Sequence, residues 1–165
     1  MADEKTTKRQ MTTYILSRCD LKSLSSGKSD AHAHHAGVQM IAKYYEHPDV
    51  RAYIEDGNTE GADHFNTTIT LHATKAQIET VVGTAKAIGF LGDLVIDPSY
   101  PYWADREVAE VNGLTWVAES GDNVLLLRRE LSFGWILGDR NDPIFKAIVA
   151  NLKLKDFNKL LYVEK

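Results

Sequence analysis

The stretch "SSGKSDAHAHHAG", residues 25–37, places a glycine–lysine pair, an aspartate and three histidines in thirteen consecutive positions. On a helix turning 100° per residue, Lys28, His32, His35 and Gln39 share one narrow stripe, while Asp30 and His34 lie on another. Backbone N–H groups and a lysine at the positive end of a helix suit a phosphate or a developing oxyanion. Histidines beside them can carry protons near neutral pH. A metal would need three converging ligands: His32 with His35, or Asp30 with His34, gives two, and Asp97 or His72 a third. Two arguments oppose it. His32 and His34 point about 160° apart on an undistorted helix. Lys28 also shares the 32/35 stripe, and its ammonium would repel a cation by roughly 1–4 kcal/mol per unit charge at about 4 Å. The expectation is a site with no metal and no cofactor, in which His34 matters less than His35. The bland alternative is a solvated helix start, and His47, His64 and His72 taken singly read as surface or strand-end residues.

The rest of the chain must position these side chains. "MTTYILSRCD" (11–20) reads as a first strand after a charged leader over 1–10. From Lys28 to Glu46, Ala31, Val38, Ala42 and Tyr45 recur at helical steps, with Ser25 or Ser26 as cap and Pro48 as stop, so a helix is predicted over 27–46. Residues 50–63 read as a helical turn followed by an acidic surface loop. "HFNTTITLHA" (64–73) alternates as a strand, and 74–89 is a helix opened by a Thr-x-x-Gln capping box and closed by glycine. "LGDLVIDPSYP" (91–101) reads as a central strand ending at a functional edge, with Asp97 at its C-terminal end. Ser120–Asn123 suggests a hairpin between "TWVAE" and "VLLLRRE", followed by a separate strand over 131–137. A helix with Pro143 in its first turn is predicted over 141–154. This order predicts an α/β fold: a single-domain mixed β-sheet of about four strands with helices on both faces.

Composition narrows the setting. The 165 residues are enough for one domain with a real core, and 44% hydrophobic with 25% charged residues is ordinary for a globular protein. The lone cysteine, Cys19, excludes an intramolecular disulfide and a Cys-based zinc cage. No apolar run suggests a membrane span, and the polar start lacks a signal-peptide core, so the expected setting is cytoplasmic. With a net charge of −4, nucleic acid would need a local basic patch.

Three blocks carry a resemblance. "RCDLKSLSSGKSDAHAHHA" (18–36), "AKAIGFLGDLVIDPSYP" (85–101) and "FGWILGDRNDPIFKAIVANLKL" (133–154) are similar, in that order, to segments of the type 2 peptidyl-tRNA hydrolases. Arg18, Asp20, Leu21, Lys22, Gly27, Lys28, Ala31, His35 and Ala36 match the first block, Asp97 the aspartate of the second, and Leu152, Lys153 and Leu154 the third. His32 replaces a family glutamine, Pro98-Ser99 replaces Ala-Gly, Pro101 replaces a threonine, and a second threonine falls near Phe133. Ser99, Tyr100 or Ser132 could restore a hydroxyl. The resemblance covers a domain over 11–155 with insertions near 47–63 and 102–124, leaving a C-terminal tail at 156–165.

The resemblance implies metal-independent hydrolysis of the ester of peptidyl-tRNA. Lys28, Asp97, His35 and His32 are the catalytic candidates, with Asp97 activating water and Lys28 stabilising charge. Arg18, Lys22, Gly27, Ser99 and Tyr100 are the substrate-binding candidates. The implied partner is tRNA or peptidyl-tRNA, with no membrane and with room for a homodimer. The altered neighbours of Asp97 keep an alternative open: a non-catalytic module on the same fold that binds tRNA, a nucleotide or a protein partner.

Overall fold

Met11–Arg18 forms β1, and nearly every residue in it is buried, as befits a strand covered on both faces. The computed structural model describes residues 9–22, 24–56 and 66–154; residues 1–8 of the expected leader, most of the surface loop expected up to 63 and the expected tail over 156–165 lie outside them. Chain order is β1, α1 (Ser26–Tyr44), α2 (Pro48–Asp56), β2 (Thr67–Ala73), α3 (Lys75–Ala87), β3 (Leu91–Asp105), α4 (Arg106–Val111), β4 (Ala118–Ser120), β5 (Asn123–Asp139), α5 (Pro143–Val149) and β6 (Lys153–Leu154). The strands lie in the order β3-β5-β1-β2-β6, with β4 also paired to β5. β1 runs parallel to β2 and antiparallel to β5. The expected mixed sheet is present, broader than the four strands predicted. No described helix is long and apolar enough to cross a membrane.

Two cores form because side chains alternate across the sheet. Met11, Ile15, Phe133, Trp135 and Leu137 pack under α1 and α2 with Ala36, Met40 and Val50. Leu16, Leu71 and Ile136 pack under α3 and α5 with Ile78, Val82 and Phe145. Helices therefore cover both faces. α3 carries the expected capping box: Gln77 N–H donates to Thr74 Oγ1 at 3.3 Å, and Thr74 N–H to Gln77 Oε1 at 2.8 Å. Thr74→Ala should lower stability by about 1 kcal/mol, a fall in Tm of roughly 3 °C, readable by thermal unfolding; no change would mean the cap is redundant.

Four sequence expectations are corrected. β3 is an edge strand, and it continues through Asp97 to Asp105, because the Asp97–Pro98 step is absorbed by a register irregularity. The strands expected at 124–130 and 131–137 are one 17-residue β5. The last helix stops at Val149, and residues 153–154 return as β6 against β2. On α1 the buried positions are Ser29, His32, Ala36 and Met40, whereas Ala31, Val38, Ala42 and Tyr45 face outward. The stripe that faces the sheet is Ala36 and Met40, with Ala33, Ile41 and Tyr44 beside them, and it carries His32 onto Ser132.

Candidate active site at the α1–β3 junction

β3 and β5 pair regularly from Leu91↔Leu137 to Val95↔Phe133, then shift twice. Ile96 pairs with Leu131, so Ser132 is an extra residue on β5; Asp97 pairs with Glu130 and Tyr100 with Arg128, so Pro98 and Ser99 bulge from β3. Such irregularities re-aim side chains. Pro98 has no N–H for the ladder, and Ser99 N–H donates instead to Asp97 Oδ1 at 2.8 Å, holding that carboxylate in place. The extra residue turns both Ser132 and Phe133 toward α1, where His32 stacks on Phe133 at 5.8 Å between ring centroids and bonds to Ser132.

α1 is fastened over this junction at several points. Ser25 caps it, accepting from Lys28 N–H. Gln39 accepts from Trp135 Nε1 at 2.8 Å and donates to the Leu94 carbonyl at 3.2 Å, while Lys43 pairs with Asp93 at 2.7 Å. These contacts set the register in which His32 meets the bulges.

His32 is the centre of the arrangement. Its Nδ1 lies 2.6 Å from Ser132 Oγ, and the Ser132 hydroxyl donates to the Val95 carbonyl at 3.2 Å. A hydroxyl has one proton. With that proton on Val95, Nδ1 carries the imidazole proton and Nε2 keeps its lone pair. Nε2 faces Asp97 Oδ2 at 3.5 Å. In that tautomer two acceptors stand side by side, and a water or hydroxyl seated in the cleft beside the pair can donate to either. Burial is the main influence on His32 and pushes its pKa below 6.5; the Asp97 carboxylate opposes this, and His35 and Lys28 reinforce it. A neutral imidazole with its Nε2 lone pair open to the cleft has the chemistry that a general base needs.

The depressed pKa also bears on stability. Unfolded His32 takes a proton near pH 6.5 while the folded one resists it, so stability rises with pH from the folded pKa up to 6.5 and is lost as pH falls through that window. His32→Gln should flatten this slope in denaturant melts from pH 5 to 7; an unchanged slope would assign it to other groups.

The cleft beside Nε2, about 320 Å³, is lined by His32, His35, Gln39, Val95, Ile96, Asp97 and Pro98. His35 meets His32 edge-on at 5.9 Å. The Lys28 ammonium lies 5.1 Å from the centre of the Tyr100 ring, whose own centre is 6.1 Å from that of His32. Of the candidates, then, His32, His35 and Asp97 share the cleft and Lys28 stands one ring away. His34 is exposed on the outer side of α1.

Other candidates are placed differently. Arg18 is buried: it binds Asp20, Glu130 (2.9 Å) and the Leu131 carbonyl (2.6 Å). Burial disfavours its charge, but the two carboxylates more than offset this and raise its pKa. It pins β1 to β5 and does not offer its charge to phosphates. Tyr100 is fully buried and serves as a spacer. Gly27 is exposed on the first turn, with open space where a Cβ would be, and Lys22 is exposed. The Lys28 N–H expected to greet an anion is taken by the Ser25 cap. Among the described residues no three His, Cys, Asp or Glu side chains are arranged to hold a metal ion. Sequence reasoning missed Glu130 and the bulge on β5; a lone serine in an apolar strand gives no signal, whereas Pro98 within a strand does.

No family model and no curated protein matches the chain. Among solved structures it is similar to a protein of unknown function from Agrobacterium tumefaciens strain C58, at 13% identity with a TM-score of 0.48, over 88% of this chain and 98% of that one.

Proposed function

We propose that the chain is a metal-independent carboxylic ester hydrolase whose substrate is peptidyl-tRNA. The observation that carries the ester chemistry is His32, held through Ser132 with its Nε2 open to the cleft opposite Asp97. The resemblance of the 18–36, 85–101 and 133–154 blocks supports the choice of ester, since Lys28 and Asp97 come from two of them, Asp97 facing His32 Nε2 and Lys28 lying against the Tyr100 ring next to His32. The same reading carries a tRNA partner and a cytoplasmic setting, with room for a homodimer.

In this mechanism a water held by Nε2 and the Asp97 carboxylate attacks the ester carbonyl carbon, passing a proton to Nε2. The imidazolium that forms donates to Ser132 Oγ and to Asp97, so its charge meets a carboxylate as it appears. The carbonyl oxygen becomes an oxyanion, stabilised by the Lys28 ammonium. Collapse breaks the bond to the ribose oxygen, which leaves with the proton from Nε2, and the carboxylic acid product loses its own proton to solvent. His35 stands at the cleft mouth, where it can exchange protons with water.

A second reading, a non-catalytic module that binds tRNA, a nucleotide or a protein partner, is favoured by the altered neighbours of Asp97, where Pro98 and Ser99 bulge from β3 in place of the Ala-Gly of the resembled family. Purified peptidyl-tRNA incubated with the protein, with EDTA and with added zinc or manganese, separates the readings. Hydrolysis that survives EDTA and falls by about 10²-fold or more in Lys28→Ala and Asp97→Asn supports the proposal. Loss with EDTA and rescue by metal would overturn the mechanism, and tRNA retention without hydrolysis would support the binding module.

A further inference from the structure

The stripe of α1 that carries Lys28, His32 and His35 has a fourth member to which the hydrolytic mechanism gives no task. Gln39 lines the cleft together with His32, His35 and Asp97. Its side-chain amide is held in one orientation by two partners of opposite kind. Trp135 Nε1 only donates, and it donates to Gln39 Oε1 at 2.8 Å; the Leu94 carbonyl only accepts, and it accepts from Nε2 at 3.2 Å. Nε2 has two protons, and Leu94 takes one. The second has no acceptor among the described residues, and the side chain is half-buried. A half-buried N–H at the wall of a cleft calls for an acceptor from whatever enters.

α1 runs antiparallel over β3: His32 faces Asp97, Gln39 bonds at Leu94 and Lys43 pairs with Asp93. The cleft therefore has Nε2 and the Asp97 carboxylate at one end, the Gln39 amide at the other, and the apolar Val95 and Ile96 between them. Ser132, which seats His32, bonds to the Val95 carbonyl, and Gln39 bonds to the Leu94 carbonyl. The two ends are thus anchored one residue apart on β3, about 3.3 Å along the strand, which is also the rise of an extended peptide. Lys28, against Tyr100, lies beyond the Asp97 end, so Gln39 is not a second donor to the oxyanion that Lys28 stabilises.

We propose, on the ester-hydrolase reading, that Gln39 selects the acyl group: its second amide proton donates to the amide carbonyl one residue back from the ester in a peptidyl chain. With the ester carbonyl beside Nε2, the chain passes under His35 along Val95 and Ile96, and its next acceptor meets Gln39. A fatty acyl chain suits the same apolar wall. It leaves the Gln39 proton facing carbon, however, and an unmade hydrogen bond at a half-buried donor is costly. Gln39 is then a specificity residue that uses no charge.

Two esters of one tRNA test this, N-acetylglycyl-tRNA and pentanoyl-tRNA, whose acyl chains have equal length and differ in the amide. Spontaneous hydrolysis of each is measured and divided out, because the amide also activates the ester. The native chain should then favour the acetylglycyl ester by roughly tenfold in kcat/KM, the worth of one hydrogen bond. Gln39→Met should bring the two esters within about twofold of each other by slowing the acetylglycyl ester alone. Lost fastening of α1 would slow both esters equally, so a parallel fall makes Gln39 a strut and overturns the proposal. Gln39→Glu keeps an oxygen for Trp135 Nε1 and has no amide proton; it should lose the preference too, and it decides the question if circular dichroism shows the methionine variant unfolded. Equal native rates on the two esters, or a preference that survives in either folded variant, also overturns the proposal. A native chain that hydrolyses neither ester overturns the ester-hydrolase reading, and the selection by Gln39 falls with it.

Discussion

His32→Gln should cut hydrolysis of peptidyl-tRNA by roughly 10²–10⁴-fold, the span that a positioned general base contributes. Glutamine is the informative replacement, since its amide can still donate to Ser132 Oγ and fill much of the space against Phe133, yet it cannot take a proton from water. A fall in activity with an unchanged fold therefore reads out the base and not the packing. The pH dependence is a second, independent readout. The native rate should rise through an ionisation below pH 6.5 and then level off, because only neutral His32 accepts a proton. Asp97 raises that pKa, so in Asp97→Asn the residual activity should have its acid limb displaced to still lower pH. If His32→Gln keeps activity within about threefold of the native chain, too small a loss for a general base, His32 is structural and Asp97 becomes the base to test.

Gly134→Val should destabilise the fold by about 3 kcal/mol, near the upper end of what overpacking a core costs. A Cβ built at Gly134 would come within 2.6 Å of Ile78 Cγ2 and 3.0 Å of Val82 Cγ2, so α3 rests directly on the β5 backbone there. Valine is otherwise favoured in strands. The prediction is therefore a contest between propensity and contact, and the contact wins because Ile78 is fully buried and has nowhere to go. Thermal unfolding should show Tm lower by roughly 10 °C. A valine variant as stable as the native chain would mean that α3 shifts freely on the sheet.

What the sequence made legible divides along the reach of each signal. The Thr74–Gln77 capping box, the Asp142-Pro143 helix start and the Gly121 turn between β4 and β5 are local devices, and each stands where its residues predict. α4 was not foreseen, although Asp105 caps it by accepting from Glu107 and Val108 N–H, since six residues are too few to show a period. On α1 the stripe of Lys28, His32, His35 and Gln39 was legible from spacing alone. That His32 is buried was not, because burial depends on Ser132 rising from a bulge a hundred positions away. Arg18 illustrates the same limit. As a residue type it suggests a phosphate ligand, and only the placement of Asp20 and Glu130 makes it a pin between strands.

The strand order carries a consequence for how the molecule is made. Among the described strands β1 leaves the ribosome before its neighbours, yet one of the two is β5, with Met11 opposite Asp139. His32 likewise waits for Ser132, 100 residues later, an interval of roughly 5–20 s at ordinary translation speeds. Through that interval β1 can join β2 alone, and its other edge stays open with Ile15 and Leu16 beside it. A nascent chain halted before Asn123 therefore holds the histidines of α1 without the Ser132 that seats His32, and the bare edge of β1 needs shielding until β5 arrives.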